Sequence, residues 1–310
     1  MIITKETPCL LETKYYYIWK GDLTVDEVRI ELDKKIIFKG DLKVKGYLEV
    51  EGSLEVRGDL KVGGFLEVGG ALEVAGYIIV EGDLKVEEWL EVAGYIIVEG
   101  DLKVEEWLEV GGYLIVGGDL EVRRWLKVKG YLKVREWLEL GGNLKVEGSL
   151  KVGESLEVEG DLKVGGDLKV EGALEVAGYI IVEGDLKVEE WLEVGGYLIV
   201  GGDLEVRRWL EVGGYLKVRE WLKVGGFLKV GGSKTIYGIK TEFYLYIPDH
   251  QLPIQIFDNH VRIGCELHTR KQWQEFKDEQ IDQMDDNALA FWKENKEWIL
   301  SINSETNNEQ

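Results

Sequence analysis

The chain has 310 residues, 45% of them hydrophobic and 31% charged, so it can bury a core and is neither disordered nor fibrous by composition. A formal net charge of −21 disfavours direct binding to nucleic acid or an anionic membrane, and leaves a basic protein partner or plain solubility open. The two cysteines, Cys9 and Cys265, are far apart in sequence, so no disulfide framework is implied and a reducing compartment is expected.

The opening stretch, MIITKETPCLLETK, carries charges inside any apolar segment and reads poorly as a secretory signal. No run approaches the roughly 18 apolar residues of a membrane helix. The expectation is a soluble, cytoplasmic protein. Residues 1–39 read as an irregular lead-in, compatible with one or two looser turns of a repeat: GDLTVD, then, after one extra residue at Glu27, VRIELD and KKIIFK.

From Gly40 to Gly231 the chain is an unbroken series of 32 hexads of the form G-x-L-x-V-x, without an insertion. Position 3 is always Leu or Ile, and position 5 is Val apart from Leu140. Strict alternation means a strand with one buried face. The periodic glycine at position 1 marks a corner every six residues. Short strands with corners at fixed spacing predict a β-solenoid that stacks its own turns, with residues 40–232 as the shaft.

Position 2 sets the length of a turn. Tyr77, Asp83 and Trp89 are followed by Tyr95, Asp101 and Trp107, then by Tyr113, Asp119 and Trp125. This 18-residue superperiod, three hexads, predicts a triangular prism in which like residues stack at the ~4.8 Å strand spacing. The G-x-L/I-x-V spacing resembles that of the bactofilins, polymer-forming bacterial proteins with triangular right-handed β-helices. It is also similar to the left-handed hexapeptide-repeat acyltransferases, which prefer a small residue two before the aliphatic one. Leu stands there in this chain, which favours the bactofilin-like, right-handed geometry. The predicted fold class is therefore an all-β solenoid, a triangular β-helix with 18-residue turns, with a small α+β C-terminal cap.

Residues 94–140 recur at 178–224 with four differences, at an offset of 84. Because 84 is four turns of 18 plus 12, the second copy is predicted to sit rotated by two of the three faces. Tyr179 and Tyr197 would then stack in the column of Trp89, Trp107 and Trp125. Alternation points positions 2 and 4 outward. Tyr77, Ile79, Tyr95, Ile97, Tyr113 and Ile115 should form one exposed apolar stripe, and Tyr179, Ile181, Tyr197 and Ile199 a second. Ribbons of Trp89, Trp107 and Trp125, and of Trp191 and Trp209, lie beside them. These residues are candidates for binding a partner or for self-association, including a homodimer, since exposed aromatic patches often mark contacts. The competing reading is that the rings only stiffen the prism. Asp and Glu up every face could imitate a nucleic acid, yet GDLKV sets Lys on the same face as Asp, which favours a mixed-charge surface.

Residues 233–303 depart from the repeat. TIYGIKTEFYLYI reads as one or two strands, PIQIF-DN-HVRIG as a hairpin turning at Asp258-Asn259, and Thr269 with Gln272 as a capping box. Asp285 or Asp286 is expected to cap a final helix with Ala288, Phe291, Trp292, Asn295, Ile299 and Ile302 on one side. Residues 304–310 are expected to be a frayed tail. The three histidines, His250, His260 and His268, all lie in this cap, and His260, Cys265 and His268 could supply metal ligands. Their spacing matches no strong zinc signature, and packing or hydrogen-bonding roles compete with it. The stretch RIGCELHTRKQWQEF…DQMDDNALAFWK resembles the closing segment of phage- and prophage-encoded repeat proteins, which implies a mobile-element origin and brings no activity with it.

The shaft hexads contain no histidine, cysteine or threonine, which disfavours acyltransferase chemistry and ice binding. The expectation is a protein without catalytic activity or cofactor that engages a protein partner, with the resemblances pointing to a host protein of a phage. The alternative is a bactofilin-like self-assembling scaffold.

Overall fold

The computed structural model describes residues 1–8, 10–236, 238–241, 244–247, 252–285 and 287–302. Every hexad of the shaft forms a three-residue strand over its third to fifth positions, as in Leu84–Val86, Leu90–Val92 and Ile96–Val98. The outer two residues of each triplet point inward and the middle one outward, because successive side chains of a strand alternate. Leu84, Val86, Leu90, Val92, Ile96 and Val98 are all buried.

Each strand pairs in parallel with the strand three hexads further on, without slip: Leu84 lies opposite Leu102 and Val86 opposite Val104. The backbone ladder continues into the corners, where Leu84 N–H donates to Asp101 O at 2.8 Å. Three stacks result, of 12, 13 and 15 strands, parallel throughout except for the outermost strand at each end of the largest. In chain order, the first face contains Leu42–Val44, the second Leu48–Val50 and the third Leu54–Val56. The chain is thus a three-sided parallel β-solenoid of about 12 turns with ~18 residues per turn. A continuous Leu/Val/Ile interior runs along it. Each such side chain contributes roughly 1.5–3 kcal/mol by burial.

The corner glycines of the shaft do not owe their place to a left-handed backbone conformation. Among the described glycines only Gly21, Gly238 and Gly264 have positive φ, and none of these is in the shaft. What excludes a side chain there is close approach. A Cβ on Gly118 would lie 2.0 Å from Asp101 Oδ1 and 3.1 Å from the carbonyl carbon of Gly100, one turn below.

The lead-in strands continue the same stacks. Leu23–Val25, Val28–Ile30 and Lys35–Phe38 pair in parallel with the first, second and third faces. At the N-terminal end of the third face, Leu10–Glu12 folds back antiparallel on Tyr16–Trp19. At its other end, Lys234–Ile236 pairs antiparallel with Ile239–Thr241. Both hairpins cover the last parallel strand of this face, so the outermost strand at each end runs antiparallel to the stack.

The C-terminal unit is a four-stranded antiparallel sheet, Tyr244–Ile247, Ile254–Phe257, His260–Ile263 and Glu266–Thr269, with helices Arg270–Glu275, Asp278–Asp282 and Ala288–Ser301. Three strands lie between residues 234 and 247 where one or two were expected, and the short helix Asp278–Asp282 was not expected from the residue pattern. The hairpin at Asp258-Asn259 and the Thr269/Gln272 capping box are as expected. The final helix begins one or two residues later than predicted. Its N-cap is Asn287, whose N–H donates to Asp285 Oδ1 at 3.2 Å. Cys9, His250, Asp286 and the tail 304–310 lie outside the described residues. The unit is fastened to the shaft by a buried polar contact: Gln255 Nε2 donates to Leu222 O at 3.1 Å and to the Tyr244 hydroxyl at 2.8 Å, and that hydroxyl also donates to Leu222 O.

Candidate interaction surface

Two kinds of ladder climb the corners, both built from position 2. Where this residue is Asp, Asn or Ser, its side-chain oxygen accepts the backbone N–H of the residue one turn above. Asp83, Asp101 and Asp119 serve Asp101, Asp119 and Trp137 in this way, each at 2.9 Å. Where it is aromatic, the rings stack face to face. Tyr77, Tyr95, Tyr113 and Tyr131 form one stack with centroids 4.8, 4.6 and 5.1 Å apart. Trp89, Trp107 and Trp125 form another, at 5.0 and 5.1 Å.

The duplicated segment repeats both stacks on different faces, as the offset predicts. Ile180–Val182 lies in the same sheet as Leu90–Val92, so Tyr179, Tyr197 and Tyr215 stack at the corner that held the tryptophans lower down. Trp191, Trp209 and Phe227 stack on the second face.

The predicted stripe residues point outward but are half-buried instead of exposed. Tyr77, Ile79, Tyr95, Ile97, Tyr113 and Ile115 are all of intermediate burial, as are Tyr179, Ile181, Tyr197 and Ile199. The reason is mutual cover: each ring inside a stack has its faces shielded by its neighbours and offers only its edge. Trp89, Trp107, Trp191 and Trp209 are half-buried in the same way, whereas Trp125 ends its stack and is 36% exposed. Tyr131 ends the tyrosine stack of the first copy and is 44% exposed. Trp125 was among the expected contact residues; Tyr131 was not, although the 18-residue spacing from Tyr113 to Tyr131 is there to be counted.

Each tyrosine stack starts on top of a lysine. Lys61 Nζ lies 5.0 Å from the centroid of Tyr77, and Lys163 Nζ 5.1 Å from that of Tyr179, so a cation closes the lower π-face in both copies. The isoleucines are bracketed likewise. Ile79, Ile97 and Ile115 are in register with Lys61 below and Lys133 above. Ile181 and Ile199 lie between Lys163 and Lys217.

Charge is not evenly mixed among the faces. On the first face, Lys151 and Lys169 both pair with Glu171, and Lys187 pairs with Glu189 and Glu205. On the second face, Glu121, Glu139, Glu157, Glu175, Glu193 and Glu211 stand opposite one another on successive strands. Lys103 pairs with Glu121 at the lower end at 2.8 Å, and Lys229 with Glu211 at the upper end at 2.5 Å. Glu139, Glu157, Glu175 and Glu193 have no ion pair among the described residues. Like charges opposed across strands repel. Desolvation, reinforced by Glu157 and Glu193, pushes the Glu175 carboxyl above the usual glutamate range. The local cancellation expected from the GDLKV motif therefore does not extend to this stretch of the second face, because its central residues from Glu121 to Glu211 are all glutamate. At the third-face corner, Arg124 pairs with Glu106 at 2.9 Å, so the charged replacements of the corner glycine bond to each other beside the indoles.

The metal candidates are held apart. His260 and Cys265 lie at opposite ends of the strand His260–Ile263, with Cys265 in the following turn. His268 is opposite Val261, one register position from His260, so the two imidazoles project from opposite faces of the sheet. His268 Nε2 meets Glu266 Oε2 at 2.9 Å, and its ring packs edge-on to Trp273 and Phe276. This is a packing histidine. An apolar cavity of about 40 Å³ lies nearby, lined among others by Leu252, Met284, Phe291 and Trp292. It has room for a water molecule or two and not for a sizeable ligand.

Fold and surface together define a capped three-sided β-solenoid with aromatic and charged ladders on its corners and faces. The chain matches no protein-family model, no curated protein and no solved structure.

Proposed function

We propose that the protein is a non-catalytic interaction rod that binds a protein partner through its outward ladders. The observation that carries this reading is the identity of five residues. In the 32 hexads, the outward central position is Lys or Glu everywhere except Ile79, Ile97, Ile115, Ile181 and Ile199. Ring stacking at position 2 does not require an aliphatic residue at position 4. An outward isoleucine strip beside tyrosine edges, with lysines at both ends, makes a bounded apolar patch of the kind that contacts use. The antiparallel hairpins at both ends of the third face weigh against unlimited head-to-tail stacking. The phage-like closing segment makes a bacterial host protein the first partner class to test.

The experiment is affinity capture from bacterial lysate by the full chain and by Ile97→Lys/Ile115→Lys, with the solution mass of both. Lysine already occupies this position in neighbouring turns, so the variant is expected to fold. It should lose the specifically captured proteins. Unchanged capture and unchanged mass would overturn the reading. A fall in mass without loss of any captured protein would replace it with lateral self-association.

A further inference from the structure

The duplication places one short sequence in two surroundings. Residues 135–138 and 219–222 both read Arg-Glu-Trp-Leu. In each, the tryptophan backbone N–H donates to an aspartate Oδ1 one turn below, Trp137 to Asp119 and Trp221 to Asp203, both at 2.9 Å. The rotation between copies puts Trp221 on the first face, where the C-terminal unit approaches. There the Arg262 guanidinium lies 4.0 Å from the indole centroid. Trp137 falls on the second face, and its ring is 52% exposed.

Trp137 is left open by its column. The positions above it are Ser155 and Ala173, too small to cover an indole, and no aromatic ring stacks on it among the described residues. Its indole N–H donates to Glu154. Beside it, Glu139 and the Glu157 of the next turn stand in register within the glutamate ladder, without an ion pair among the described residues. An uncovered π-face next to unpaired carboxylates complements a planar cation. The same tryptophan elsewhere in the chain already carries one.

We propose that Trp137, with Glu139 and Glu157, is a docking site for an arginine side chain of a partner protein, the guanidinium lying over the indole as Arg262 lies over Trp221. The inference rests on the reading of the rod as a protein-binding surface and gives the partner a chemistry. Arginine fits better than lysine because a flat guanidinium stacks on the ring while its edge donors reach carboxylates. The site is on a different face from the isoleucine strip at residues 79–115, so the two can be tested apart.

The test uses the full chain and dye-labelled hexa-arginine and hexa-lysine peptides, with binding read by fluorescence anisotropy at physiological salt. Hexa-arginine should bind more tightly than hexa-lysine. Trp137→Ser should weaken hexa-arginine by about two- to fivefold, the range of an exposed cation–π contact, and leave hexa-lysine unchanged. Trp137→Phe should retain part of the preference. Glu139→Gln/Glu157→Gln should weaken both peptides, and Phe65→Ser, which removes an exposed ring four turns below Trp137, should weaken neither. Equal binding of the two peptides, no effect of Trp137→Ser on hexa-arginine, or an equal effect of Phe65→Ser would overturn the proposal. If that happened while Ile97→Lys/Ile115→Lys still abolished capture, only the arginine site would fall. The interaction-rod reading would stand.

Discussion

Asp101 Oδ1 accepts the backbone N–H of Asp119 at 2.9 Å from within the space that a side chain on Gly118 would fill. One carboxylate thus makes the cross-turn bond and selects the glycine above it. Asp101→Ala should lower stability by about 1 kcal/mol, the net value of one hydrogen bond. Gly118→Ala should cost about 1–3 kcal/mol by overpacking. The double variant should lose less than the sum, because the oxygen that meets the new methyl is gone. Urea melts of the four proteins check this. Strict additivity would mean that the backbone of Gly100, and not the carboxylate, excludes the side chain.

The indole stack predicts a graded loss. Trp107 contacts Trp89 and Trp125, whereas Trp125 has one stacked neighbour. At roughly 0.5–1.5 kcal/mol per aromatic pair, Trp107→Ala should cost about twice the stacking energy of Trp125→Ala. Denaturant midpoints of the two variants give the ratio, and equal losses would show that burial of each ring on the shaft outweighs stacking.

Two glutamates should respond to pH with opposite sign. Desolvation and crowding raise the Glu175 carboxyl pKa in the fold, so the folded state holds its proton more tightly than the unfolded chain. Its ionised form is a burden at neutral pH that disappears on acidification through the glutamate range. Glu175→Gln should therefore raise the melting temperature at pH 7 and have little effect in acid. Glu205 is the reverse. Its hydrogen bond to Lys223, at 2.7 Å, and the nearby Lys187 depress its pKa. Its contribution is present above the unfolded pKa and is lost as pH falls through the folded one. Glu205→Gln should lower the melting temperature at pH 7 and cease to matter in acid. Calorimetry at both pH values is sufficient.

The rotation between the two copies is removable. Deleting residues 142–153, two whole hexads, changes the offset from 84 to 72, four complete turns. Each turn contacts only its neighbours, so the core should persist and the Tyr179 stack should move to the face of Tyr131. Circular dichroism should be unchanged and the shaft about 3 Å shorter by small-angle scattering. Deleting 142–152 instead should lower the melting temperature sharply, because an odd number turns the inward side chains of the flanking register outward.

Much of this architecture is determined by the order of residues alone. Alternation in Leu84–Val86 assigns inside and outside, the 18-residue recurrence from Tyr77 to Tyr95 to Tyr113 assigns three faces, and the offset of 84 assigns the rotation. These are legible because an uninterrupted parallel stack turns sequence distance into spatial position. The glutamate ladder from Glu121 to Glu211 could have been counted in the same way. Other features exist only in three dimensions. Half-burial of the tyrosine stripe depends on rings covering one another, and the glycine at position 118 depends on the reach of a side chain from the turn below. The separation of His260, Cys265 and His268 depends on hairpin register. Whether Trp137 or Trp221 is covered depends on where the C-terminal unit folds back. Identical local sequences meet different surroundings there, and only the tertiary fold distinguishes them.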